Sequence, residues 1–74
     1  MNRYWNEYIE TKPEILRGKP CIKGTRIPVS LILSYFAAGK TADEIISEFE
    51  DLNKDQLAAC LEWERDLADF EVAI

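Results

Sequence analysis

The chain contains no histidine. That removes the commonest general base, the commonest metal ligand and the base of Ser–His and Cys–His nucleophile pairs. Cysteine is scarce as well. Cys21 and Cys60 lie far apart and form no CxxC pair. Both fit the role of small buried hydrophobes, kept reduced in a cytosolic compartment, and a disulfide between them stays open. With only three glycines, the chain lacks the GxxxxGK[ST] spacing of a nucleotide-binding loop. No apolar run approaches the roughly 20 residues that span a membrane. The longest, Ile27 to Ala38, is interrupted by serine and ends in Gly39-Lys40. The opening MNRYWNEY has no apolar signal-peptide region. These absences point to a cytoplasmic binding protein that is not an enzyme, with no cofactor, no metal and no membrane partner.

What is present is a folded composition. The 74 residues are 47% apolar and 31% charged, ordinary for one globular domain and too apolar for disorder. A chain this short buries only roughly 60% of its unfolded surface. Its core is therefore thin, and a second copy or a partner would help to stabilise it.

The net charge is −5, and it is unevenly placed. Residues 1–40 carry seven Lys/Arg against three Glu, net +4; residues 41–74 carry two against eleven Asp/Glu, net −9. One half can approach phosphates and the other is repelled by them.

The pattern along the chain predicts an arm and basic loop over 1–28 and a three-helix core over 29–74. Residues 3–10 read as a short strand or irregular arm. Thr11 to Leu16 reads as a turn of helix, with Pro13 in its first turn and Gly18 at its end. From Gly18 to Val29 a small hairpin or tight loop is expected, pairing Cys21-Ile22 with Arg26-Ile27 around Gly24. Val29, Ile32, Leu33 and Phe36 then recur at helical spacing over about 29–38, and Gly39 closes that helix. Thr41 with Glu44, and Asn53 with Gln56, are capping boxes. They start helices at about 42–49 and at 53 onwards, joined by a Glu50-Asp51-Leu52 turn with Leu52 plugging the corner. In the last helix Leu57, Cys60, Leu61, Leu67 and Ala68 form one stripe, flanked by Trp63 and Phe70. The fold class is mainly α, with a short N-terminal hairpin or arm.

Three groups of residues could carry function. The two capped helices have the layout of a helix-turn-helix, which turns the start of its last helix outward. Here that start offers Asn53, Lys54, Asp55, Gln56 and Ala59, of which Asn and Gln can read adenine. A plain helical hairpin fits equally, because Glu50, Asp51, Asp55 and Glu62 oppose phosphate. The second group is the loop with Arg17, Lys19, Lys23, Thr25 and Arg26, four cations within ten residues. It can hold phosphates, or be a tight turn with solvated charges. The third is the acidic segment from Glu62, whose Trp63, Leu67, Phe70, Val72 and Ile74 are candidate contacts to another chain. Its carboxylates are a solvated face or a docking surface for a basic partner.

One pattern is more specific. Gly18, Lys19, Pro20, Ile22, Gly24, Thr25, Arg26, Ile27 and Val29 spell G-K-P-x-I-x-G-T-R-[IV]-x-V, with Gly39, Glu44, Ile45 and Leu52 following. Over residues 8–70 this resembles the family called domain of unknown function 433. The resemblance implies a homeodomain-like or winged helix-turn-helix fold. It also implies an antitoxin of a toxin–antitoxin pair that neutralises a PIN-like ribonuclease and regulates its own transcription. Contact with operator DNA as a homodimer is then expected, since two copies double the cations and give a half-site spacing. The acidic third helix departs from what a strong DNA reader would carry.

Overall fold

The basic loop is held by a central extended segment. In the computed structural model, which describes the backbone of residues 4–72 and the side chains of 5–68, a 3₁₀ turn (Tyr4–Glu7) leads into β1 (Ile9–Glu10). β1 pairs antiparallel with β2 (Cys21–Ile22), in the register Ile9 to Ile22 and Glu10 to Cys21. On its other side β2 meets residues 27–29. The Ile22 N–H donates to the Ile27 carbonyl at 3.0 Å, and the Val29 N–H to the Pro20 carbonyl at 3.0 Å. The expected hairpin thus supplies one edge only, with Cys21 opposite Pro28.

The helical turn expected over 11–16 does not form. The Ile15 N–H closes a single turn on Lys12, and Ile15 is itself extended, with φ −114° and ψ 118°. One turn cannot offset the cost of helix nucleation. A tight turn follows over Leu16–Gly18, and all three of its residues have positive φ: 51° at Leu16, 57° at Arg17 and 82° at Gly18. Left-handed backbone at two successive non-glycine residues is uncommon.

The three helices are α1 (Val29–Ala37), α2 (Ala42–Glu48) and α3 (Lys54–Val72). Gly39, at φ 92°, ends α1 in a Schellman motif. Its N–H reaches the Phe36 carbonyl, and the Lys40 N–H reaches that of Tyr35. Both capping boxes form. The Thr41 N–H donates to Glu44 Oε1 at 2.8 Å, and the Glu44 N–H to Thr41 Oγ1 at 3.2 Å. The Asn53 N–H donates to Gln56 Oε1 at 2.8 Å, and the Gln56 N–H to Asn53 Oδ1 at 2.9 Å.

The core is Ile9, Ile22, Val29, Ile32, Ile45, Leu52, Leu57, Ala59 and Cys60. It draws on the small sheet and all three helices, so the arm is part of the fold rather than an appendage. Leu52 is buried at the α2–α3 corner. Tyr35 and Phe49 meet edge to face at 5.7 Å, tying α1 to the end of α2. Leu61, expected in the packing stripe, is 46% exposed, and Ala59, expected on the outward face, is fully buried. The buried arc of α3 runs through Leu57, Ala59, Cys60 and Trp63, which points Leu61 away from the core. Both cysteine thiols are free and buried. No helix among the described residues is long and apolar enough to cross a membrane.

Candidate nucleic-acid and partner surfaces

The side chains of Arg17, Lys19, Lys23 and Arg26 are all exposed. None has an ion pair or hydrogen bond among the described residues. The turn geometry displays them: Arg17 lies at the centre of the left-handed turn and Lys19 follows it, and Lys23 and Arg26 sit on the β2–α1 loop. That loop is rigidly clasped. Thr25 Oγ1 donates to the Ile22 carbonyl at 2.7 Å and accepts from the Ile27 N–H at 3.0 Å. The Lys23 N–H is tied to the Tyr8 carbonyl at 2.8 Å. Gly24 has φ 78°, and nothing lies within 4 Å of where a Cβ would stand. Its requirement is therefore conformational, not steric. Thr25, grouped with the cations as a candidate contact, uses its hydroxyl inside the loop.

A shallow cleft of ≈ 390 Å³ opens between the arm and this loop, lined by Glu10, Lys12, Ile15, Gly24, Thr25 and Arg26. Lys12 was not among the sequence candidates. It approaches the site because β1 pairs with β2, a non-local contact that residue spacing does not encode. Its ammonium stands 3.8 Å from Glu10 Oε1.

The start of α3 is chemically different. Asn53 and Gln56 engage their side-chain carbonyls in the cap, which fixes the orientation of each amide and leaves its NH₂ group and one oxygen lone pair for a base. Bidentate recognition of adenine needs both an acceptor and a donor. Lys54 lies 3.4 Å from Asp43 Oδ1 across the α2–α3 junction, and Arg65 lies 2.6 Å from Glu62 Oε1. The cations of the acidic half are thus neutralised locally, and those of the basic loop are not.

Further along α3, Trp63 is half-buried against the core, while Leu67, one turn on, is 44% exposed. Phe70 and Val72 fall in the last turns of α3, and their side chains lie outside the described residues, as does Ile74. The first 3₁₀ turn packs on this helix. Trp5 Nε1–H donates to Asp66 Oδ2 at 2.6 Å, and Asp66 Oδ1 is buried with no partner among the described residues. Sequence reasoning missed this anchor, for which no local signal exists.

Three groups among the described residues have shifted pKa values. The backbone and side-chain hydrogen bonds with Thr41 hold the Glu44 carboxyl below its ordinary value. Burial pushes the Cys60 thiol up to about 12. Burial also raises the Cys21 thiol, with the charge of Glu10 adding to it. Neither thiol is a nucleophile at neutral pH, since the thiolate is the reactive form.

Residues 9–63 match the family described as "Protein of unknown function (DUF433)". The chain belongs to this family. A relative, "Uncharacterized protein y4eO" of Sinorhizobium fredii (strain NBRC 101917 / NGR234), is 29% identical over 51 residues. The match covers 69% of the present chain and 23% of that protein, so the DUF433 chain spans under a quarter of its relative's length. No solved structure matches the chain. The family span takes in β1, the left-handed turn, the whole basic loop and α3 as far as Trp63. Trp5, Asp66 and Leu67 lie beyond it.

Proposed function

We propose that this DUF433 chain is an antitoxin-like, non-enzymatic module that binds operator DNA as a homodimer and covers a PIN-like ribonuclease. In this reading α2 and α3 are a helix-turn-helix of homeodomain-like or winged type, with the extended arm packed beside it. The observation that carries the reading is the contrast in charge pairing. Arg17, Lys19, Lys23 and Arg26 are exposed and unpaired among the described residues, whereas Lys54 and Arg65 face carboxylates. Free cations bind phosphate by releasing counterions, and paired ones must first give up their partner. The loop is therefore the main phosphate contact, and the start of α3 contributes amide donors from Asn53 and Gln56. A dimer doubles the cations and sets a half-site spacing.

The ribonuclease claim rests on the other half of the molecule. An enzyme that holds RNA needs a basic surface, and the net charge of −9 over residues 41–74 complements one. Leu67 on that acidic helix supplies apolar contact area. Exposed Leu61 and Leu67 also favour a second reading, a protein-interaction module with no nucleic-acid role.

A mobility-shift assay on the promoter of the chain's own operon separates the two. The proposal expects a complex that weakens as salt rises and that Arg26→Glu weakens further. No salt-dependent shift, with or without the neighbouring gene product, would leave the interaction reading standing. Co-expression with that product tests the partner claim, and failure to copurify removes it.

A further inference from the structure

We propose that the cleft between the arm and the β2–α1 loop is a seat for a single phosphate group. The proposal rests on the reading of the loop as a phosphate contact and narrows that contact to one place. Two cations of different origin border the cleft: Lys12 from the segment after β1, and Arg26 from the loop. Arg26 has no internal partner among the described residues, and Lys12 has only the long contact to Glu10. The backbone supplies donors as well. In the loop the Lys23, Thr25 and Ile27 N–H groups are bonded internally. The Gly24 and Arg26 N–H groups have no acceptor among the described residues, and both residues line the cleft. The residues that line the cleft thus carry an ammonium, a guanidinium and two unused turn amides, the donor types that a phosphate takes. Glu10 also lines the cleft and opposes the anion. It acts as a counter-charge that an incoming phosphate displaces from Lys12, which keeps affinity for a lone anion modest.

The phosphate can belong to a nucleic-acid backbone or be free in solution, and the two sources are separable. The full chain, labelled with ¹⁵N, is titrated with sodium phosphate and with a short DNA duplex, each against sodium chloride at matched ionic strength. The expected result is a saturable shift of the Gly24 and Arg26 amide signals. Arg26→Gln and Lys12→Gln should each weaken it by about tenfold, the lower end for one hydrogen bond to a charged group. Glu10→Gln should strengthen it, and circular dichroism checks that each variant is folded. Shifts with the duplex alone assign the seat to a nucleic-acid phosphate. Shifts with free phosphate alone keep the seat and defeat the DNA reading. Amides that respond to neither probe beyond chloride overturn the proposal, even where the duplex binds elsewhere on the chain. Shifts that Lys12→Gln and Arg26→Gln leave unchanged overturn it too.

Discussion

Replacing Arg17 by glycine should make the protein more stable, although it removes a charged side chain. Arg17 sits at φ 57° and ψ 37°, between Leu16 at 51° and Gly18 at 82°. A non-glycine residue in this left-handed region costs about 1–2 kcal/mol. Glycine relieves that cost, but its greater freedom in the unfolded chain returns about 0.5–1 kcal/mol. The side chain is exposed, and its loss removes no hydrogen bond or ion pair among the described residues. At the middle of these ranges the net gain is about 0.75 kcal/mol, or a rise in Tm of about 3–6 °C for a domain of this size. Thermal unfolding followed by circular dichroism reads it, and Arg17→Asn should move in the same direction because asparagine tolerates the region. Gly39→Ala is the control. Gly39 has φ 92°, and nothing lies within 4 Å of the point an alanine methyl would occupy, so its substitution should destabilise through φ alone. If Arg17→Gly lowers Tm as Gly39→Ala does, the left-handed turn is not the solution conformation. Under the proposed function the same variant binds DNA more weakly, so stability and binding move in opposite directions.

The packing and the shifted groups set three further outcomes. The Glu44 carboxyl is more acidic folded than unfolded, so its contribution is complete above about 4.5 and fades as pH falls through the folded value. The urea midpoints of the wild type and Glu44→Gln should therefore converge on acidification, and a pH-independent gap would contradict this. Trp5→Phe strips Asp66 of its donor and should cost about 1–2 kcal/mol in chemical denaturation; an unchanged midpoint would mean that the arm is not anchored on α3. Burial of Cys60, with its thiol pushed up to about 12, predicts that iodoacetamide labels it only in denaturant. Fast labelling of the native protein would refute that.

Features set by near neighbours were readable in the residues. Thr41 with Glu44, and Asn53 with Gln56, cap helices within four positions, and Gly39 ends α1 through its own φ. Features set by distant pairing were not. Nothing local says that Ile9 will oppose Ile22, or that Trp5 will reach Asp66 across 61 positions. The left-handed turn was hidden for another reason. Leu16 and Arg17 are not residues that favour positive φ, so only the closed structure imposes it. The same division runs through the site. The four loop cations were evident as residue types, but their freedom from partners was not. The pairing of Lys54 with Asp43, and the place of Lys12 beside Arg26, depend on how α2 meets α3 and how the arm meets the loop.

Whether the unpaired loop cations bind nucleic-acid phosphate is tested most directly by the salt dependence of DNA affinity. Each phosphate neutralised contributes a slope of about −0.9 in log K against log salt. Four free cations predict a slope of about −3.6 per bound chain, measured by fluorescence anisotropy between about 50 and 200 mM salt. Arg26→Glu should flatten it by about one unit while the fold persists. A slope near zero, or one that Arg26→Glu leaves unchanged, would contradict phosphate binding by the loop.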